Sequence, residues 1–301
     1  MTQVVLLLVP QVHVLDLAGP AQVFATAADQ GYDYQLAYVA EQEEVPTAQG
    51  LTVRAAVRWP SLTPADLVVV PGWRSPTRPR SGGLKAATLD RLVAHYEAGG
   101  TVASVCAGTY ALGQAGLLDG RRCTTHHDLQ DDLAARYPRA HVVRDVLYVV
   151  DGRVITSAGI ASGIDMALHL IATRHGPAAA ARIAREMVVF SRRNGHEQQE
   201  SALLRYRSHI SDVVHRAQDI IDANVTSPLP LSTLAAQCGV SERTLTRQFV
   251  RATGLTPLRY QQILRVERAE HLIGQGATVE AAARAVGFSD ARMLRRLRSR
   301  A

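Results

Sequence analysis

The sequence predicts an α/β domain over residues 1–190, with a mainly parallel sheet covered by helices. A linker at 191–207 then leads to an all-α domain with two helix-turn-helix units over 208–301. Three observations predict this. Apolar runs alternate with helical stretches through the first two-thirds, which is the pattern of strands buried on both faces. The stretch LSTLAAQCGVSERTLTRQF (231–249) has the spacing of a helix-turn-helix. Its marks Ala235, Gly239, Val240, Leu245 and Phe249 recur 48 residues on as Ala283, Gly287, Phe288, Met293 and Leu297. The charge is also uneven: residues 1–200 hold 18 Lys or Arg against 19 Asp or Glu, and 201–301 hold 15 against 8. At 47% apolar residues, 301 positions supply two cores, and a disordered chain is not expected.

The chain opens with VVLLLV (4–9), an apolar run without the basic start of a signal peptide, and so a buried strand. The loop HVLDLAGP follows, with a helix expected from about Pro20. Further strands fall at YQLAYVA, DLVVVPG (66–72), TVASVC (101–106) and RVITSAG (153–159). Ligands of such sheets sit in the crevice at the C-terminal strand ends. That rule selects three loops: 16–20, 71–73 and 106–109. In ASVCAGTYAL the cysteine stands where a buried strand turns into a helix, the geometry of a nucleophile elbow. Ala107 and Gly108 suit the sharp turn, and amides at the new helix's start would face an anion or a Cys106 thiolate. The expected ligand-lining residues are Asp16, Gly72, Trp73, Cys106, Ala107, Gly108 and Thr109, with Trp73 and Tyr110 as candidates for an aromatic cage. His126 and His127, at a helix start after RRCT, are the only candidates for an imidazole near the crevice, in a place where a histidine is more often a packing or helix-start residue than a catalyst.

From Gly159 the chain is helical: ASGIDMALHLIATRHG, a stop at Gly176, then Pro177 opening PAAAARIAREMVVF. The polar SRRNGHEQQES (191–201) marks the boundary. Ile210, Val213, Val214, Ala217, Ile220, Ile221 and Val225 outline an amphipathic helix that should pack on the first helix-turn-helix. There Ser232 and Ser241 are expected as caps, Gly239 as the turn, and Leu245 and Phe249 as inward residues. Arg243, Thr246 and Arg247 are left facing outward, with side chains suited to base edges in a major groove. After GLTP (254–257) a longer helix, RYQQILRVERAEHLI, should hold the two units as a rigid pair.

Two resemblances follow from these residues. The segments LDLAGPAQVF (15–24), VCAGTYALGQAGLLDGRRCTTHHD (105–128) and TSAGIASGIDMALHL (156–170) resemble the PfpI/ThiJ-type class I glutamine amidotransferase-like fold over residues 3–190. Enzymes of that fold use the elbow cysteine as nucleophile, with an acid on the first loop bonded to it; by position these are Cys106 and Asp16. Peptidase-like members carry a His directly after the cysteine, and Ala107 excludes that dyad. An Asp and Cys pair alone resembles isocyanide hydratases. Over 208–301, S-x-x-x-L-x-R-x-F (241–249), R-x-x-x-A-x-x-L (265–272) and G-F-S (287–289) resemble the AraC/XylS family. By position this implies base contacts from Arg243, Thr246 and Arg247, then Ala291, Leu294 and Arg295, with Leu294 touching thymine methyls. Arg295, Arg296 and the neighbouring arginines would grip phosphate. The helix and Gly, Pro and Tyr signature usual after the second unit do not follow, so weaker anchoring of that unit is expected.

Together these imply a sequence-specific transcriptional regulator of the GlxA-like branch of AraC regulators. It would bind double-stranded operator DNA under control of a small-molecule effector, as a cytoplasmic homodimer and not as an enzyme. The alternative is a cysteine-dependent hydratase or hydrolase using Cys106 and Asp16. No cofactor or metal is expected: Cys106, Cys123 and Cys238 are odd in number and lack C-x-x-C spacing, and no run is long enough to cross a membrane.

Overall fold

The computed structural model describes residues 1–74, 84–189, 193–199, 201–274 and 276–299. Residues 191, 192 and 200 of the expected linker, and 300 of the terminal arginine cluster, lie outside the described residues. The chain forms two compact units, Met1–Gln199 and Glu200–Ala301, so the division falls inside the stretch read as a linker.

The first unit runs β1 (Thr2–Leu8), α1 (Val14–Asp29), β2 (Tyr34–Ala40), β3 (Glu44–Pro46), β4 (Thr52–Arg54), β5 (Leu67–Val70), α2 (Ala86–Glu97), β6 (Thr101–Val105), α3 (Thr109–Gln114), β7 (Arg122–Cys123), α4 (Gln130–Arg136), β8 (His141–Val142), β9 (Tyr148–Asp151), β10 (Val154–Ser157), α5 (Ser162–His175) and α6 (Pro177–Glu186). The central sheet has the order β2-β1-β5-β6-β10-β9. All its pairs are parallel except β10 with β9. Strand β1 shows why its sequence is apolar throughout. Val4, Leu6 and Leu8 pack on one face with α1, α5 and α6, while Val5, Leu7 and Val9 pack on the other with α2, α3 and α4. Each strand side chain alternates faces, so a sheet covered twice has no polar side.

The order places β1, β5 and β6 side by side, with β2 diverging from β1 in the opposite direction from β5. The loops leaving their C-terminal ends therefore meet at the switch of winding direction, the position where such sheets bind ligands.

Helix α1 corrects one expectation. It begins at Val14, so Asp16 lies in its first turn and not on a loop, and Pro20 is inside the helix. The proline, in the second turn, removes its own bond to the Asp16 carbonyl, and burial of the helix against the sheet offsets the loss. Its buried face, Leu17, Ala21, Phe24 and Ala27, holds it on the sheet.

The second unit contains α7 (Ala202–Arg205), α8 (Asp212–Ala223), α9 (Leu231–Gln237), α10 (Glu242–Thr253), α11 (Pro257–Gly274), α12 (Val279–Ala285) and α13 (Ala291–Arg298). Val214, Ala217 and Ile221 of α8 meet Leu234 and Ala235 of α9 and Leu245 and Phe249 of α10 in one core. Ala269 of α11 joins Ala282, Ala283, Val286, Phe288, Leu294 and Leu297 in a second. Ser241 caps α10, its hydroxyl accepting from the Thr244 amide. Ser232 does not cap: it lies inside α9, whose N-cap position is Pro230. The long α11 spans both cores, and Arg265 ties them. Its guanidinium donates to the carbonyls of Val225 at 2.6 Å, Ser227 at 2.9 Å and Gly287 at 3.0 Å. Gly287, at φ 85°, closes this junction; a Cβ there would lie 2.0 Å from the Thr226 carbonyl oxygen.

Candidate functional site

Two sites emerge, one in each unit. The first is the cluster at the C-terminal ends of β1, β5 and β6, where Asp16, Gly72 and Cys106 are buried together. Cys106 follows β6 directly and adopts φ 53°, the left-handed conformation that a non-glycine residue holds only when its surroundings over-determine it. Three neighbours do so. The Thr125 hydroxyl donates to the Cys106 carbonyl at 2.8 Å. Gly108 packs on the Val70 carbonyl, where a Cβ would come within 1.9 Å of the oxygen. The Ala107 amide faces the sulfur. This is the elbow geometry read from ASVCAG.

Asp16 reaches the same point from α1 and is fully buried. Its Oδ1 accepts from the Ile160 amide at 2.7 Å. Oδ2 has no partner of ordinary hydrogen-bond geometry among the described residues, although the Gly72 amide and the Cys106 thiol face it. Gly72 is what allows this approach: a Cβ there would stand 2.4 Å from Asp16 Oδ2 and 2.8 Å from Cys106 Cβ. Burial raises the Asp16 pKa, against the Ile160 bond and the nearby His13. Burial also pushes the Cys106 thiol up strongly, and the Asp16 charge adds to it. The thiol is therefore held neutral. A buried acceptor that lacks a partner beside a neutral thiol offers a ligand one place for an N–H or O–H donor.

The other expected lining residues behave differently. Trp73 is buried in the core against α2 and α3. Thr109 is buried with its hydroxyl committed to Ser104 at 2.9 Å and the Thr124 carbonyl at 3.1 Å. Tyr110 is also core: its hydroxyl donates to Asp132 at 2.7 Å, and Arg136 lies over its ring. The proposed aromatic cage of Trp73 and Tyr110 is therefore corrected, because both rings are consumed by packing. Sequence reasoning missed His13, whose charge reaches Asp16, and Ile160; His13 could have been found three residues before Asp16.

His126, His127 and Asp128 form the one group among the described residues with metal-ligating atoms close together. Asp128 lies 3.7 Å from His126 Nδ1 and 3.2 Å from His127 Nδ1, and its charge reaches Cys106. The two rings face each other at 4.2 Å between centroids and 31°, and one ligand atom from each of the three residues lies within 4.8 Å of the others.

The second site is the outer face of α10. With Leu245 and Phe249 fully buried, Arg243 and Arg247 are exposed and Thr246 is half-buried. Neither arginine has an acidic partner among the described residues. Helix α13 departs from the sequence repeat. Its N-cap is Asp290, whose side chain accepts from the Arg292 amide, so the turn is one residue longer than in the first unit. Leu294, expected to face DNA, is instead fully buried and takes the place of Leu245, while Met293 is only partly buried. The offset is therefore 49 at Leu294, while Leu297 keeps the 48-residue offset to Phe249. The outward positions equivalent to Arg243, Thr246 and Arg247 are then Arg292, Arg295 and Arg296. These arginines are engaged within the chain: Arg292 with Asp290, Arg295 with Glu280, and Arg296 with the Met293 sulfur.

Comparisons with known proteins agree with this division. The DJ-1/PfpI family model matches residues 2–173, and a helix-turn-helix domain model matches 234–300. The HTH-type transcriptional regulator GbdR of Pseudomonas aeruginosa is 33% identical over 185 residues, 61% of this chain and 50% of that protein. The isonitrile hydratase of Pseudomonas putida is 35% identical over 175 residues, 56% of this chain and 70% of that one. A crystal structure of an AraC family transcriptional regulator from Pseudomonas putida aligns with TM-score 0.53 and 23% identity, over 62% of this chain and 100% of that one, a likeness of fold. The chain spans about half the length of the curated regulators it matches. No helix among the described residues is long and apolar enough to cross a membrane. The chain belongs to the DJ-1/PfpI family and carries a C-terminal helix-turn-helix domain of the AraC type.

Proposed function

We propose that this protein is a sequence-specific DNA-binding transcriptional regulator whose first unit binds a small-molecule effector between Asp16, Gly72 and Cys106. The observation that carries the reading is the outward row Arg243, Thr246 and Arg247 on α10, held by buried Leu245 and Phe249 and free of acidic partners among the described residues. Arginine in that position reads guanine by a bidentate bond, and threonine contacts either base type. The relatives named as transcriptional regulators support the same class. Arg295 and Arg296 contact phosphate more than bases, since Arg295 must first leave Glu280. The protein acts as a homodimer on paired half-sites, in the cytoplasm where its DNA lies.

The effector site is supported by the lone acceptor Asp16 Oδ2, with a neutral thiol beside it and the Ala107 and Gly108 backbone lining the turn. A second reading, a cysteine-dependent hydratase, has one observation in its favour: Asp16 stands where it could take the Cys106 proton, and a relative is named isonitrile hydratase. Against it, the raised thiol pKa disfavours the thiolate such chemistry needs. The test of the main reading is selection of bound duplexes from a randomised pool by the full chain at moderate salt. A recurring sequence is expected; a pool that stays random sinks the regulator. Turnover of small isonitriles that disappears in Cys106→Ser would reverse the ranking of the two readings.

A further inference from the structure

We propose that Gln199 is a positioning residue that couples the Cys106 elbow to the point where the chain leaves the first unit. Gln199 is the last residue of that unit. Its side-chain amide donates to two carbonyls from different segments, Thr125 at 2.9 Å and Val146 at 3.0 Å, and its backbone amide donates to Asp145 Oδ1 at 3.1 Å. Thr125 is also the residue whose hydroxyl holds the Cys106 carbonyl, at 2.8 Å. One residue thus separates the elbow from the exit of the chain. Gln130, buried, braces the same junction: its amide donates to the Thr125 carbonyl at 3.2 Å and accepts from the Asp145 amide at 3.4 Å.

The ends of this chain of bonds are strained and incompletely satisfied. Cys106 and Asp145 both hold positive φ, 53° and 51°, without being glycine. Asp16 Oδ2 beside Cys106 and Gln199 Oε1 at the exit are both buried acceptors without partners among the described residues. Turning the Gln199 amide over would aim its oxygen at two carbonyls, so the orientation is fixed by these two acceptors. A donor group entering the crevice satisfies Asp16 and displaces the elbow. The Thr125 bond then carries that displacement to Gln199, where the first unit ends. The inference supplies the route for the sensing role proposed above and rests on that role for its regulatory meaning, whereas its test involves no DNA.

Coupling is reciprocal, so loosening Gln199 must alter Cys106. In the full chain, iodoacetamide alkylation of Cys106, Cys123 and Cys238 is followed site by site by mass spectrometry. All three cysteines are buried, which makes the last two internal controls. Gln199→Leu is expected to speed alkylation of Cys106 by about fivefold to tenfold, the factor for losing one hydrogen bond of ordinary net strength, with the controls unchanged. Gln199→Ala gives the same reading if the leucine variant fails to fold. An unchanged Cys106 rate in a folded variant overturns the proposal. So does an equal rise at all three cysteines, which marks general loosening. Failure of the wild-type chain to select DNA would end the regulator reading and leave this result standing.

Discussion

Replacing Arg265 with leucine removes the donor that joins the two helix-turn-helix cores. Three carbonyls lose a partner: Val225, Ser227 and Gly287. Gln261 also donates to Val225 and Ser227, at 3.5 Å and 3.1 Å, so these two keep part of their satisfaction. For Gly287 the donor is Arg265, and the loss concentrates on the second core. Each bond contributes about 0.5–1.5 kcal/mol net, since water competes for the half-buried guanidinium, and the three together about 1.5–4.5 kcal/mol. The second core is small, built from Ala269, Ala282, Ala283, Val286, Phe288, Leu294 and Leu297. It has little apolar burial to offset that loss. Hydrogen exchange on the full chain reads the effect. Amides of α12 and α13 should exchange about tenfold to a thousandfold faster, at roughly 1.4 kcal/mol per factor of ten, while those of α9 and α10 change much less. Equal acceleration in both helix pairs, or none in α12 and α13, would refute the tie.

Three further outcomes follow from particular groups. Leu294→Ala should cost about 2–5 kcal/mol in urea unfolding of the second unit, and Met293→Ala clearly less, because only Leu294 is fully buried; the reverse ranking would restore the register of the sequence repeat. Burial acts to raise the Asp66 carboxyl, but the Thr63 and Gln3 bonds outweigh it and hold the group below its usual range. Its stabilisation is therefore present above the unfolded pKa of about 3.9 and lost as pH falls through the lower folded value. Urea midpoints measured between pH 6 and pH 2 should show a wild-type advantage over Asp66→Asn that disappears at the acid end; a constant difference would show that the charge contributes nothing. Glu280→Gln frees Arg295 from its ion pair, and DNA affinity should rise, with the plot of log K against log salt steeper by about 0.9. An unchanged slope in anisotropy titrations would mean that Arg295 does not meet phosphate.

The sheet was legible because β1, β5, β6 and β10 are apolar on both faces, which only double coverage explains. The antiparallel β9 was not singled out: VLYVVD (146–151) has a strand's composition, but the strand itself is only four residues long. At the crevice, Cys106 and Asp16 were legible from the strand-to-helix turn and from the family resemblance. The packing of Trp73 and the hydroxyl bonds of Thr109 were not legible, because residue type and loop position do not say which way a side chain points. The start of α1 was hidden by Pro20, a residue read as a beginning although it sits inside the helix. In the last third, the repeat revealed two helix-turn-helix units but not their register. Ser289 matches Ser241 in sequence, yet Asp290 caps α13, and one extra turn residue exchanges Met293 for Leu294 in the core. Gln199 carried no local signal at all. Its partners Thr125, Asp145 and Val146 lie more than fifty positions away, and only the folded chain brings them together.

The central claim is that α10 reads sequence through Arg243, Thr246 and Arg247. It is tested most directly by the affinity of the full chain for a selected duplex relative to a scrambled one, at fixed moderate salt. The wild type should favour the selected duplex by about a thousandfold or more, the range of specific regulators. The double variant Arg243→Ala/Arg247→Ala should keep salt-dependent binding but lose most of that ratio, at about 1–3 kcal/mol per base contact removed. A ratio that survives the double variant intact, or a wild type without preference, would contradict the account.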